Sequence, residues 1–118
     1  MQDDRDPMNP LVSILVLNYN GQAHLEPCFT SLAALDYPPS SLELVLVDNA
    51  SADDSLAYTR SHFPHVTIIQ HPQNYGFCRG YNLAAQAAQG EYLVFLNNDT
   101  HVDPGYVRGL LEPIQTFQ

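Results

Sequence analysis

The sequence contains no lysine. Its cations are Arg5, Arg60, Arg79 and Arg108, set against 13 acidic residues, for a formal net charge of -9. That excludes an extended nucleic-acid surface, because neutralising a phosphate backbone takes clustered Lys and Arg. It excludes a P-loop, whose lysine reaches the β- and γ-phosphates. It also counts against a phospho-acceptor receiver domain, which wants a lysine at a strand end. Cysteine is nearly as scarce: Cys28 and Cys78 lie far apart, in neither a disulfide framework nor a zinc spacing. Two small thiols in a reducing cytosol are the expectation. No apolar run approaches the roughly 18 residues a membrane helix needs. The start, MQDDRDPMNP, lacks the basic region and apolar segment of a signal peptide. Residues 1–10 read as a disordered lead-in and residues 11–118 as one domain. Any phosphorylated ligand must have its charge offset by backbone N–H groups, by a metal or by one of the few arginines.

What is present alternates between two periodicities. "LVSILVLN" (11–18), "LELVLVDN" (42–49), "VTIIQ" (66–70) and "EYLVFLN" (91–97) are short apolar runs bounded by turn residues, and read as strands. Between them lie helical patterns. Residues 23–35 carry Leu25, Cys28 or Phe29, Leu32 and Leu35 at helical spacing, with Pro27 tolerable only near the start. Ser51 reads as the N-cap of a helix reaching about His62. "HPQNYGFCRG" reads as a loop, followed by an alanine-rich helix over 81–89 that Gly90 stops. A last helix is expected behind Asp103 and Pro104, kinked or ended by Pro113. Strands separated by helices predict an α/β fold, a mostly parallel sheet flanked by helices.

In such a sheet ligands bind outside the carboxyl ends of the strands. Strand one ends in Asn18-Tyr19-Asn20-Gly21, strand two in Asp48-Asn49-Ala50-Ser51 and strand four in Asn97-Asn98-Asp99. A dinucleotide fingerprint is absent, since the first turn holds a single glycine. Asp48 reads either as a carboxyl bonded to loop amides or as an acceptor for the imide N–H of uracil or thymine, with Tyr19 as stacking face. In "NYGFCRGYN", Gly76 and Gly80 permit close backbone approach, and Arg79 at a helix front suits a diphosphate. Asp99 reads as a cap for the next turn or as an oxygen ligand for Mg²⁺ or Mn²⁺ shared with a diphosphate. The five histidines form no ligand spacing.

"VSILVLNYNG", "LELVLVDNASADDS", "NYGFCRGYN" and "GEYLVFLNNDT" stand in the order and spacing of family 2 glycosyltransferases, and resemble the rhamnosyltransferase-like members. The resemblance covers residue 11 to the end. It implies a Rossmann-like GT-A fold and the nucleotide-sugar-binding half of a glycosyltransferase. By position, it implies that Asn18, Tyr19 and Asn20 form the first nucleotide-binding turn and that Asp48 contacts the base. It implies that Asn74, Gly76, Phe77, Arg79, Gly80 and Asn82 lie near ribose and diphosphate. Asn97-Asn98-Asp99 falls on the family's D-x-D metal motif, with Asn97 in place of the first acid, which leaves Asp99 as the metal anchor. The implied partners are a UDP- or dTDP-sugar, a divalent Mg²⁺ or Mn²⁺ and a carbohydrate or lipid-linked acceptor, with no nucleic acid and self-association open. The implied reaction is sugar transfer to an acceptor hydroxyl with inversion, in the cytoplasm or at the inner face of a membrane. Its base is expected beyond Gln118, so these residues alone are expected to bind nucleotide and transfer little. A non-catalytic nucleotide-binding domain and a sugar nucleotidyltransferase-like enzyme are the competing readings. The latter wants a glycine-rich, basic turn that "NYNGQAHLEP" lacks.

Overall fold

The structure, a computed structural model, describes residues 9–116, and side chains as far as residue 113. The expected lead-in falls mostly outside the described residues. Its last two do not: Asn9 forms a bridge, and buried Pro10 accepts a hydrogen bond from the Tyr37 hydroxyl.

The elements run β1 (Val12–Asn18), α1 (Gln22–Ala33), a 3₁₀ turn (Pro39–Ser41), β2 (Leu42–Asp48), α2 (Ser55–His62), β3 (Thr67–Gln70), α3 (Gly76–Ala87), β4 (Tyr92–Asn97) and α4 (Tyr106–Thr116). The four strands form one parallel sheet in the order β3-β2-β1-β4. This is the expected α/β architecture.

Side chains alternate between the two faces of each strand. Val12, Ile14 and Val16 of β1 and Leu44 and Leu46 of β2 pack with α1 and α4, around Leu25, Phe29, Leu32, Val107 and Leu111. Leu15 and Leu17 of β1 and Val45 and Val47 of β2 face the other way, onto Ala84 of α3. Leu25, Cys28, Phe29 and Leu32 all point inward, the i, i+3, i+4, i+7 stripe of a helix laid on a sheet. Truncating fully buried Phe29 to alanine should cost about 3–5 kcal/mol.

Three helix starts differ from expectation, and two prolines, Pro27 and Pro113, sit inside helices. Each removes one N–H, and Gly109, four residues before Pro113, is exposed, so its carbonyl can turn to water. Ser51 caps nothing: α2 starts at Ser55, and the Ser51 hydroxyl is bonded to Asp48. Asp103 and Pro104 precede a turn rather than opening α4, which begins at Tyr106. Finally, α3 begins at Gly76, five residues before the alanine-rich stretch. Gly76 takes φ +77, a left-handed value that glycine adopts without steric cost.

Candidate functional site

The register Asn18↔Asp48 puts the first two strand ends level, and Leu17↔Asn97 aligns β4 with them. Because alternation continues past the strand ends, the polar residues there divide between the faces. Asn18 and Asp48 continue the α1 side; Tyr19 and Asn49 continue the α3 side.

The α3 side holds a cleft of about 350 Å³. Its walls are Leu17 and Tyr19 from β1, Asn49 after β2, Asn74, Gly76 and Phe77 at the front of α3, and Asn97, Asn98 and Asp99 at the end of β4. Tyr19 is 53% exposed and Phe77 63%, so two ring faces stand open at its rim. The front of α3 is locally fixed. Asn74 Oδ1 accepts the Gly76 N–H at 2.9 Å. Asn49 Nδ2 donates to the Gly76 carbonyl at 3.1 Å, and its Oδ1 faces the Tyr75 N–H. At Gly80 an added Cβ would lie 3.2 Å from the Asn49 amide and from Leu17 Cδ1, so this glycine lets α3 approach the sheet closely. His71, also buried, bonds the Gly80 carbonyl through Nε2 at 3.1 Å.

The α1 side is closed. Asp48 is fully buried. Its Oδ1 accepts from Asn18 Nδ2 at 2.9 Å and from Ser51 Oγ at 2.7 Å, and its Oδ2 accepts the Ser51 N–H at 2.9 Å. Asn20 turns away from the cleft as well: its Oδ1 takes the Ala52 and Asp53 N–H groups and its own N–H meets Ser51 Oγ. Asn20 holds φ 51 and Ala50 φ 61 to close this interlock. Asp53 completes it, receiving the Ser55 and Gln22 N–H groups and the Ser55 hydroxyl. Partial burial pushes the Asp53 carboxyl up, but those bonds outweigh it and hold the group below the usual carboxylate value of 3.8. On the helix behind, burial first, and then the negative charge of Asp99, push the Cys28 thiol from 9.0 to about 11.

The structure therefore brings Tyr19, Asn74, Gly76, Phe77, Asn97, Asn98 and Asp99 together around the cleft. It places Asn18, Asn20 and Asp48 in the interlock behind it. Arg79 lies one turn along α3 with its guanidinium 4.3 Å over the Tyr75 ring, and Gly80 packs against the sheet. Asn82 is exposed on α3 beyond the cleft walls. Leu17 was not anticipated, and Asn49 was expected at the strand end but without a role. Strand alternation carried the signal: counting in twos from Val45 and Val47 places Asn49, not Asp48, on the face of Tyr19.

Two ring faces, several amides, the first turn of a helix and one carboxyl suit a planar heterocycle joined to an anion. The chain is similar to known proteins in both sequence and fold. The chain is 29% identical over 104 residues to EpsH of Bacillus subtilis, covering 86% of this chain and 30% of EpsH. Its fold matches residues 1–349 of Staphylococcus aureus TarS in complex with UDP-GlcNAc, with a TM-score of 0.82, 25% identity, and coverage of 90% of this chain and 31% of the other. It also matches the mannosyltransferase PcManGT of Pyrobaculum calidifontis in complex with GDP-Man and Mn²⁺, with a TM-score of 0.78, 27% identity, and coverage of 84% and 30%. The chain thus spans about a third of the length of these relatives. Residues 13–117 match the pattern of glycosyl transferase family 2, and the chain belongs to that family.

Proposed function

We propose that this chain is the donor-binding part of a glycosyltransferase and holds the nucleotide diphosphate of a sugar donor in the cleft between β1, β4 and the front of α3. The observation that carries this reading is the meeting of the Tyr19 and Phe77 rings with Asp99, the cleft's one carboxyl, at the carboxyl ends of the strands. TarS and PcManGT, which share the fold, hold UDP-GlcNAc and GDP-Man. On this reading Tyr19 and Phe77 offer faces for the base, and the N–H groups of the first turn of α3 lie toward the phosphates.

Charge argues for a cation. A chain of net charge -9 with a carboxyl in its cleft repels a diphosphate unless positive charge stands between them. Among the described residues no group of three His, Cys, Asp or Glu side chains gathers, so these residues build no closed cage. Asp99, on the cleft wall with Asn97 and Asn98, would hold a hard divalent ion through its carboxyl oxygens. When bound, Mg²⁺ or Mn²⁺ would offset the charge developing on the leaving diphosphate. Asp99 cannot both hold that ion and take the acceptor's proton, so we assign the base to chain outside these residues, acting with inversion on a carbohydrate or lipid-linked acceptor. A UDP- or dTDP-sugar is the donor we favour, with a rhamnosyl group among the candidates. No helix among the described residues is long and apolar enough to cross a membrane. We place the reaction in the cytoplasm or at its membrane face. Exposed Leu93 and Phe95 on β4, the last strand of the sheet, leave self-association open.

Calorimetric titration with UDP, dTDP and GDP, with and without Mn²⁺, tests the reading. Binding strengthened by Mn²⁺, with that dependence lost in Asp99→Ala, is the expected result. A folded chain that binds none of the three sinks it.

A further inference from the structure

Behind the cleft, hydrogen bonds cross three strand ends in one line. Asn98 Nδ2 donates to Asn18 Oδ1 at 2.7 Å, Asn18 Nδ2 donates to Asp48 Oδ1 at 2.9 Å, and Ser51 Oγ donates to the same Asp48 oxygen at 2.7 Å. The line has a direction. The Asp48 carboxyl accepts, so it fixes the Asn18 amide with its nitrogen inward. The Asn18 oxygen then faces β4 and requires a donor there, which Asn98 supplies. Asn18 and Asp48 are both at most 1% exposed, so neither end of this bond can be exchanged for water.

Gly21 bears on the same link. Its φ of -110 suits any residue, so its backbone does not call for glycine. Space does: a Cβ there would stand 2.2 Å from Asn98 Nδ2 and 2.8 Å from Asn18 Oδ1. Two separate features of the chain, an amide at 98 and a missing side chain at 21, therefore serve one hydrogen bond. That bond acts on the turn itself, between two flanking bonds from the Tyr81 hydroxyl to the Leu96 carbonyl at 2.7 Å and from the Val102 N–H to Ser31 Oγ at 3.1 Å. Among the described residues β4 pairs in the sheet with β1 alone, and the backbone bond closing the turn, Thr100 N–H to Asn97 carbonyl, is 3.2 Å.

We propose that Asn98 is a positioning residue. With Asn18 and Asp48 it forms a strut that sets the 97–99 turn, and so the Asp99 carboxyl, against the cleft. Asn18 and Asp48 act through that strut and not by touching the ligand. The consequence for binding rests on the donor-site reading above; the strut itself does not.

The test uses Asn98→Ala, Gly21→Ala and the double variant, with hydrogen exchange followed by NMR in the free protein and UDP titrated with Mg²⁺. Both single variants should speed exchange of the Thr100 amide by about tenfold, the loss of roughly one buried hydrogen bond. Amides of β2 and β3 should stay within about twofold, because the strut ends at Asp48. The double variant should exchange no faster than either single one, since both remove the same bond. UDP affinity should fall by about tenfold in step with the exchange. Asn98→Ala introduces no clash, so it remains informative if Gly21→Ala fails to fold. Unchanged exchange at Thr100, equal acceleration across the sheet, or additive effects would overturn the strut. Accelerated exchange with UDP affinity intact would overturn its positioning role. If the parent chain binds no nucleotide, the donor-site reading fails, and the exchange pattern still decides the strut.

Discussion

Asn49 grips the front of α3: its Nδ2 donates to the Gly76 carbonyl at 3.1 Å while its Oδ1 faces the Tyr75 N–H. Both halves of the amide are used, so neither a carboxyl nor a methyl can replace it. Asn49→Asp sets an acceptor against the Gly76 carbonyl. Urea unfolding should show a loss of about 1–3 kcal/mol, the cost of an unsatisfied buried polar group. An unchanged midpoint would mean that the front of α3 does not depend on Asn49.

Asp48 accepts three hydrogen bonds from its own chain. Asp48→Ala leaves Asn18 Nδ2 and the Ser51 N–H without that acceptor, and should destabilise the fold by about 3 kcal/mol or more. The effect should be present with no nucleotide in solution. A stable Asp48→Ala protein that loses only nucleotide affinity would restore Asp48 as a ligand contact.

Ala50 holds φ 61, a left-handed conformation that costs an L-residue roughly 1–2 kcal/mol. Glycine removes that cost but loses about 0.5–1 kcal/mol to backbone entropy. Ala50→Gly should therefore stabilise by about 0.5–1 kcal/mol, read as a raised melting temperature. A lowered one would show that the Ala50 methyl packs usefully where it is.

The Asp53 carboxyl lies below its ordinary value of 3.8 in the folded chain. The unfolded chain therefore takes up its proton first as pH falls. The stability contributed by Asp53 is complete above the unfolded value and is lost as pH drops through the folded one. Asp53→Asn should flatten the acid limb of a stability-versus-pH curve. An unaltered limb would remove Asp53 from the loop's acid sensitivity.

Cys28 is buried with its thiol raised from 9.0 to about 11, while Cys78 is exposed. Iodoacetamide at pH 8 should add one group to the folded protein, at Cys78, and two in urea, as read by intact mass. Above pH 9.0 the unfolded chain releases the Cys28 proton more readily than the folded one, so stability should fall between there and about 11. Equal native labelling of both thiols would contradict the burial of Cys28.

The sheet was legible because the runs at 12–18 and 42–48 are short, apolar on both faces and bounded by turn residues, as buried parallel strands between helices are. The start of α3 was not, because glycines that read as loop serve other ends. Gly76 supplies a positive φ, and Gly80 supplies clearance for Asn49 and Leu17. Ser51 looked like a cap because capping needs only a local sequence. Its real partner, Asp48, is held in place by Asn18 on a different strand. At the site, the three strand ends were visible, and their division follows only when alternation is counted past them. Asp48 and Asn49 are neighbours in sequence, and face opposite sides of the sheet.

The most direct measurement is a map of amide shifts on adding UDP or GDP with Mg²⁺ to the isotope-labelled chain. The account predicts shifts at Tyr19, Asn49, the 74–77 segment and 97–99. It predicts none around the apolar groove on the other side, lined by Leu35, Tyr37, Leu44 and His65. Shifts confined to that groove, or none anywhere in a folded chain, would contradict it.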